Sequence, residues 1–142
     1  MCICSNRFLG KPKNITANAH FLHNGADGSG TAVFDYEDFS AVLTYCKTAD
    51  GAIRSEIIGT KGVLKISSVS QYAGISLVIN GQEEIITKFP TRAEIMSGEA
   101  EKFANFIENR PDEYEKVSEM CFNVHKCMDE IKNKAEIRYS VK

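Results

Sequence analysis

Short segments of alternating apolar and polar residues fill the chain from Asn14 to Phe89. Such alternation over a few residues is typical of β-strands. Turn residues separate the segments, and Asn80-Gly81 is the strongest hairpin signal among them. The pattern predicts about seven short strands, mostly antiparallel. They are NITANAHFLH, GTAVFDY, FSAVLTYCKT, AIRSEIIG, GVLKISSV, GISLVING and EEIITKF.

After Pro90 the apolar residues take a helical spacing. One helix carries Met96, Ala100, Phe103 and Ile107. Pro111 then breaks the chain, acidic residues open a second helix, and Lys132 and Lys134 close it. The apolar stripe of this second helix consists of Tyr114, Val117, Cys121, Val124, Met128 and Ile131. A last strand, AEIRYSV, ends the chain.

The predicted strands carry apolar residues on both sides. In FSAVLTYC, Leu43 and Tyr45 lie on one side, whereas Val42 and Cys46 lie on the other. A sheet with one solvated face alternates more clearly than this. The sequence therefore predicts an α+β fold: an open, mainly antiparallel β-sheet with two helices packed on one face. The other face is expected to meet another subunit or a further part of the protein.

Length and local signals indicate a single domain, residues 1–142. Gly10 can adopt the left-handed conformation that ends a helix, and Pro12 prevents its continuation. Residues 1–10 are therefore interpreted as the remnant of a preceding helix. The glycine-rich stretch HNGADGSG lies between two strands, and Val33 stands where a dinucleotide-binding G-x-G-x-x-G motif needs its third glycine. It predicts a turn.

Composition narrows the function classes. A net charge of −2 gives no reason to expect nucleic acid or an anionic membrane as a partner. No run approaches the roughly 18 apolar residues of a membrane span. An odd number of cysteines, five, favours reduced thiols and a cytoplasmic location. Cys2-x-Cys4 has the wrong spacing for zinc, and Cys121 and Cys127 point apart on a helix, so no metal site is expected.

Two pairs of polar residues are candidates for chemistry. His20 and His23 are three apart on a strand and so lie on opposite faces, whereas His20 shares a face with Asn18. Asn18 and His20 are the candidates for lining a substrate cleft, the alternative being a partly exposed strand histidine. His125 and Asp129, one turn apart on a helix, are either a base with its orienting acid or a solvated helix face.

Four segments in order, GTAVFDYEDFSAVLTYCKT, SEIIGTKGVLKI, EIMSGEAEKFANFIE and CMDEIKNKAEIRYSV, resemble a known domain. It is the C-terminal domain of the glucose-fructose oxidoreductase, inositol dehydrogenase and rhizopine catabolism (Gfo/Idh/MocA) family. The resemblance covers about residues 3–140 and is closest to the dihydrodiol dehydrogenase-like branch. Gly59 and Gly62 match the family pattern, whereas Ala135-Glu136 replaces its usual closing Ala-Gly.

The resemblance implies part of an NAD(P)-dependent oxidoreductase for a sugar, polyol or related hydroxy compound. Family members carry a Rossmann domain and a Glu-Lys-Pro motif with a catalytic lysine. Neither is present here, and Lys11 in Gly10-Lys11-Pro12 lies where the family has a helix end. We therefore expect a truncated, inactive chain with no catalytic, cofactor-binding or metal-binding residue of its own. The implied partner is a second copy bound through the sheet face; the alternative is a free-standing, non-enzymatic dimeric binding module.

Overall fold

The computed structural model describes residues 10–69, 73–108 and 111–138. Seven strands precede two helices in this part of the chain: β1 (Asn14–Phe21), β2 (Asp27–Asp35), β3 (Ser40–Cys46), β4 (Ser55–Gly59), β5 (Gly62–Ser68), β6 (Ala73–Ile79), β7 (Gln82–Thr87), α1 (Arg92–Glu108) and α2 (Pro111–Lys134). All pairings between neighbouring strands are antiparallel. The predicted α+β class with open antiparallel sheets is confirmed.

The strands divide between two sheets, β1-β2-β3 (sheet 1) and β4-β5-β6-β7 (sheet 2). The described residues likewise form two compact units, one within Ala52–Pro111 and one of residues 10–51 with residues 112–138. The sequence pattern does not reveal this division, because periodicity identifies strands but not which strands pair.

Hairpin turns lie where the sequence places them. Asn80 (φ 51°) and Gly81 (φ 80°) form the two-residue turn between β6 and β7, with both residues in the left-handed region. Gly59 and Gly62 face each other across the turn between β4 and β5. The turn between β2 and β3 is closed by the N–H of Tyr36, which donates to the Phe39 carbonyl.

The core of sheet 1 lies on the face that α2 covers. Phe34 and Ile15 stand opposite each other across β1 and β2 and are 1% and 2% exposed. Ala32 and Cys127 complete the buried cluster, and Ile131 packs against it from α2. Each large side chain buried in this way stabilises the fold by about 1.5–3 kcal/mol.

The buried side of α2 differs from the predicted stripe. Cys127, which that stripe omits, is buried, whereas Cys121 and Met128 are exposed. Apolar residues cover so much of the helix circumference that spacing alone does not select one line. Cys behaves as a small hydrophobe and fills the position that faces the sheet. The expectation that Cys121 and Cys127 point apart agrees with one being exposed and the other buried.

The glycine-rich stretch is only partly a turn. Gly25 has φ 82° and lies in the turn after β1, as predicted. Gly28 lies inside β2, so its assignment to the turn is wrong, whereas Gly30 lies in β2 as the predicted strand GTAVFDY has it. The Leu22 side chain lies against Gly28, whereas the Tyr45 ring and the Asn18 carbonyl lie against Gly30 and leave no space for a Cβ at that position.

As predicted, α1 begins just after Pro90, at Arg92, and α2 begins at Pro111. No residue of α1 is buried. Gly10 has the predicted positive φ, 71°; the helix remnant before it and the Cys2-x-Cys4 pair lie outside the described residues. Ala135 and Glu136 form a turn after α2, and residues 137 and 138 are not in a strand. The rest of the predicted last strand lies outside the described residues.

None of the described helices is both long and apolar enough to span a membrane. The cytoplasmic location stays a prediction.

Candidate functional site

Sheet 1 has a second face, opposite the one that α2 covers. Residues that pair across β1, β2 and β3 point to the same side of the sheet, so each set of paired residues forms a row of side chains across the three strands. Asn18, Thr31 and Thr44 form one row, and the next row lies closer to the β1–β2 turn. We call the polar face the side that carries Thr16, Asn18, His20, Ser29, Thr31, Thr44 and Cys46; Val33 and Val42 also lie on it, in the row of Thr16. Hydroxyl, amide and imidazole groups both donate and accept hydrogen bonds, as the hydroxyls of a polyol require.

Asn18 and His20, the two predicted cleft residues, lie on this face. The Asn18 side-chain oxygen accepts a 3.2 Å hydrogen bond from the Thr31 N–H, which leaves the amide NH₂ of Asn18 as a donor. His20 is exposed and stands opposite Ser29. His23 lies in the turn that follows β1 rather than on the strand. That Asn18 and His20 line a substrate cleft stays a prediction.

Cys46 ends the row that His20 and Ser29 begin. Its Sγ lies 3.4 Å from the Thr48 hydroxyl. This contact is the main cause that lowers the pKa of the Cys46 thiol, and backbone N–H groups of the same turn add to it. The thiol is exposed and adds a polarisable group to the edge of the polar face.

A cluster that the sequence analysis missed closes the end of sheet 1. The carboxylate of Asp27 is bound by the Lys47 ammonium, 2.8 Å from each oxygen, and by the Tyr45 hydroxyl, which donates at 2.9 Å. The hydrogen bond from Lys47, followed by that from Tyr45, lowers the pKa of Asp27, although its burial acts in the opposite direction. Asp27 is only 6% exposed.

This cluster acts as a clamp rather than as a general base, because both carboxylate oxygens already accept hydrogen bonds. It joins the first residue of β2 to the end of β3 and lies next to the row of His20. A sequence signal for it existed. Antiparallel pairing brings the start of β2 beside the end of β3, where opposite charges stand at Asp27 and Lys47.

The other candidates are not assembled into sites. His125 and Asp129 are both exposed on α2, and Asp129 lies 3.5 Å from Lys132, which agrees with a solvated helix face. Within residues 10–69, 73–108 and 111–138, no three His, Cys, Asp or Glu side chains lie close enough to hold a metal ion.

Comparison with known proteins gives two relatives, and no family model matches the sequence. The uncharacterized oxidoreductase YgjR of Escherichia coli K12 is 35% identical over 108 residues, which are 75% of this chain and 33% of that protein. The scyllo-inositol 2-dehydrogenase (NADP(+)) IolU of Bacillus subtilis 168 is 31% identical over 133 residues, which are 92% of this chain and 40% of that protein.

The chain thus spans between a third and two fifths of the length of these relatives. Both are members of the Gfo/Idh/MocA family that the ordered segments resemble. Over most of its length, the chain is therefore a homologue of part of two oxidoreductases, one of them an inositol dehydrogenase.

Proposed function

We propose that these residues form the C-terminal substrate-binding and subunit-contact part of an NAD(P)-dependent oxidoreductase of the Gfo/Idh/MocA family. Its substrate is a sugar, a polyol or a related hydroxy compound. The observation that carries the proposal is the match to an inositol dehydrogenase along 92% of the chain. Hydride transfer is the chemistry of the nicotinamide, and the protein orients the substrate for it. The cofactor-binding residues lie outside this chain, which is inactive by itself.

The polar face is the proposed wall of the substrate cleft. Asn18 presents amide donors beside the imidazole of His20, two residues further along the same strand. The two side chains start about 7 Å apart, so they suit hydroxyls on different sides of a sugar or cyclitol ring. The Asp27 clamp joins β2 to β3 and so supports the part of this face that Ser29, Thr31, Thr44 and Cys46 form.

A chimeric enzyme tests this function. The chain replaces the matching segment of the Bacillus subtilis scyllo-inositol 2-dehydrogenase, and NADP reduction is measured with a panel of sugars and cyclitols. We expect activity on at least one of them, with kcat/KM reduced at least about tenfold by Asn18→Ala or His20→Ala and NADPH affinity unchanged. His125→Ala, a histidine on an exposed helix face, is the matched control and leaves kcat/KM unchanged.

Two outcomes contradict the proposal. One is a chimera that folds and binds NADPH but reacts with no compound of the panel. The other is found with the 142 residues alone: calorimetric titration showing micromolar NADPH binding contradicts the assignment of the cofactor to other residues.

For the subunit contact we propose a second copy of the chain, bound through one face of sheet 2. We call this the apolar face, formed by Ile57, Leu64, Ile66, Ile75, Leu77 and Ile79. Ile57 is 55% and Ile79 is 44% exposed, and Glu84 of the edge strand β7 stands beside Leu77 at the border of this face. An apolar patch whose acidic residue lies at its border is complementary to itself, which suits the isologous contact of a twofold dimer.

Light scattering tests the dimer. We expect twice the chain mass of 15.8 kDa for the native protein and a monomer for Ile57→Glu. Ile58→Glu is the matched control, because Ile58 is the adjacent isoleucine on the opposite face, and this variant stays dimeric. A native protein that is monomeric at high concentration contradicts the proposal, as does equal dissociation by both variants.

A further inference from the structure

The opposite face of sheet 2 carries an open groove of about 320 Å³. Its lining includes Ser67, Gly74, Ser76, Glu83, Ile85 and Phe89. The Phe89 ring lies directly against the backbone of Gly74, since a Cβ there would be 2.8 Å from the ring carbon Cε2. Phe89 is nevertheless 58% exposed, so much of its surface is open to the groove and to solvent.

Hydrogen bonds hold the polar lining residues of the groove in place, and two of the donors, Lys65 and Arg54, lie outside the lining. One oxygen of Glu83 accepts a 2.5 Å hydrogen bond from the Ser76 hydroxyl, and the other accepts one of 3.1 Å from Lys65. Arg54 donates at 2.9 Å to the hydroxyl of Ser67. The bonds from Ser76 and Lys65 lower the pKa of Glu83, so its carboxylate is ionised at neutral pH. Each carboxylate oxygen has a further lone pair with which to accept from a ligand.

Donors stand near this acceptor. The Thr87 hydroxyl oxygen accepts from the Ile75 N–H at 3.2 Å, which leaves its own O–H to donate. Lys88, whose side chain ends in an ammonium group, also lines the groove. The groove thus offers a carboxylate acceptor, hydroxyl and ammonium donors, and an aromatic ring within one small volume.

We propose that this groove binds one ring of a neutral polyhydroxy compound, a single sugar or cyclitol. An anion would meet the Glu83 carboxylate, and a cation would meet Lys88 and the positive charges of Arg54 and Lys65, which are bonded to lining residues. A neutral ring meets neither obstacle: its adjacent hydroxyls pair with the acceptor and the donors, and its C–H face lies against Phe89. A volume near 320 Å³ is at the lower end for small-molecule sites, which suits one ring and not a dinucleotide.

The site is independent of the proposed substrate cleft. It lies wholly within Ala52–Pro111, whereas the polar face with Asn18 and His20 belongs to the other unit. The two proposals therefore fail separately, because a ligand at either site perturbs different backbone amides.

Amide chemical shifts of the ¹⁵N-labelled chain, titrated with myo-inositol and with methyl glucoside, test the site. We expect saturable shifts at Gly74, Ser76 and Glu83 with a Kd on the order of 1 mM, as the size of a ligand with about twelve non-hydrogen atoms implies. Phe89→Leu weakens binding at least about fivefold by removing the aromatic wall. Phe103→Leu, at an exposed phenylalanine of α1 (67%), is the matched control and leaves the Kd unchanged.

Glu83→Gln provides a second variant, which keeps the shape of the side chain and removes its charge. It is also expected to weaken binding at least about fivefold while the spectrum stays that of a folded chain. The proposal is overturned if neither compound gives saturable shifts in the groove up to about 100 mM. Shifts confined to the polar face, or inorganic phosphate binding in the groove as tightly as either ring compound, overturn it too.

Discussion

The ring of Tyr45 lies against Gly30 on the buried face of sheet 1, so close that a Cβ at Gly30 would stand 2.6 Å from Cε1 of the ring. The same Cβ would lie 2.6 Å from the backbone oxygen of Asn18. The ring cannot move away without loss of its hydrogen bond to Asp27. We expect Gly30→Ala to lower the free energy of unfolding by about 2 kcal/mol or more, measured by urea denaturation.

Gly51→Ala is the control for this substitution. Gly51 is exposed, and no atom lies within 4 Å of the position that its Cβ would take. The free energy of unfolding should change by less than about 0.5 kcal/mol. Equal denaturation midpoints for the two variants would show that Tyr45 does not confine position 30.

Local chemistry explains which parts of the fold were predictable. The turn at Asn80-Gly81 depends on two residues that tolerate positive φ. The break at Pro111 depends on a residue that has no N–H. Both signals act within a few residues of the chain. The burial of Cys127 and the strand position of Gly28 depend on residues that are distant in sequence, namely the core of sheet 1 and Lys47, whose N–H donates to the Gly28 carbonyl. A single sequence does not specify such contacts.

The same distinction holds for the sites. Alternation along β1 is sufficient to place Asn18 and His20 on one face. The Asp27–Lys47 ion pair joins residues 20 apart, and the groove beside Phe89 joins residues of β5, β6 and β7. To predict either the ion pair or the groove, one must know which residues pair across the strands. That register is fixed only when the sheet forms, and composition and periodicity do not determine it.

Thr91 caps the first helix, and its loss should be measurable. The N–H of Glu94 donates to the Thr91 hydroxyl at 3.3 Å, and a Glu94 carboxylate oxygen accepts from the N–H of Thr91 at 2.7 Å. This reciprocal pair satisfies amides that the helix leaves unbonded. We expect Thr91→Ala to lower the free energy of unfolding by about 1 kcal/mol in urea denaturation. Thr60→Ala, in an exposed turn, is the control and should change it by less than about 0.5 kcal/mol.

The Asp27 clamp predicts how stability depends on pH. Hydrogen bonds from Lys47 and Tyr45 hold the pKa of Asp27 in the folded chain below its ordinary value of 3.8. The ionised carboxylate therefore favours folding above that pH, and this contribution is lost as pH falls through the lower folded-state pKa. We expect Asp27→Asn to unfold more easily than the native chain above about pH 5, with the difference shrinking below about pH 4. Urea denaturation at a series of pH values measures it.

Glu37→Gln is the control for this pH dependence. Glu37 pairs with Lys13 at 3.2 Å, but both side chains are exposed, at 76% and 62%. Water screens such a pair, so its removal should leave the stability curve close to that of the native chain. A stability difference between native chain and Asp27→Asn that stays constant, or widens, toward low pH would contradict the role of the ionised clamp.

Glu136 ends α2 in a conformation that favours glycine. Its φ is 56°, and the Ile137 N–H donates to the Lys132 carbonyl at 2.9 Å, while the Glu136 N–H donates to Asn133 at 3.3 Å. This is the Schellman arrangement, in which the residue after the helix is left-handed. The left-handed conformation destabilises the folded state by about 1–2 kcal/mol for a residue with a Cβ, but not for glycine. Glycine offsets part of this gain, because ordering its more flexible backbone costs about 0.5–1 kcal/mol more. Glu136→Gly should therefore raise the free energy of unfolding by about 0.5–1 kcal/mol.

The matched control is the same change inside the helix. Glu130→Gly, at an exposed position of α2, should lower the free energy of unfolding by about 1 kcal/mol, because glycine is a poor helix former. Removal of a negative charge at the helix C-terminus also stabilises, so Glu136→Gln separates charge from backbone strain. If Glu136→Gln raises stability as much as Glu136→Gly does, charge and not the left-handed backbone explains the gain. If Glu136→Gly lowers stability, the turn does not form as described.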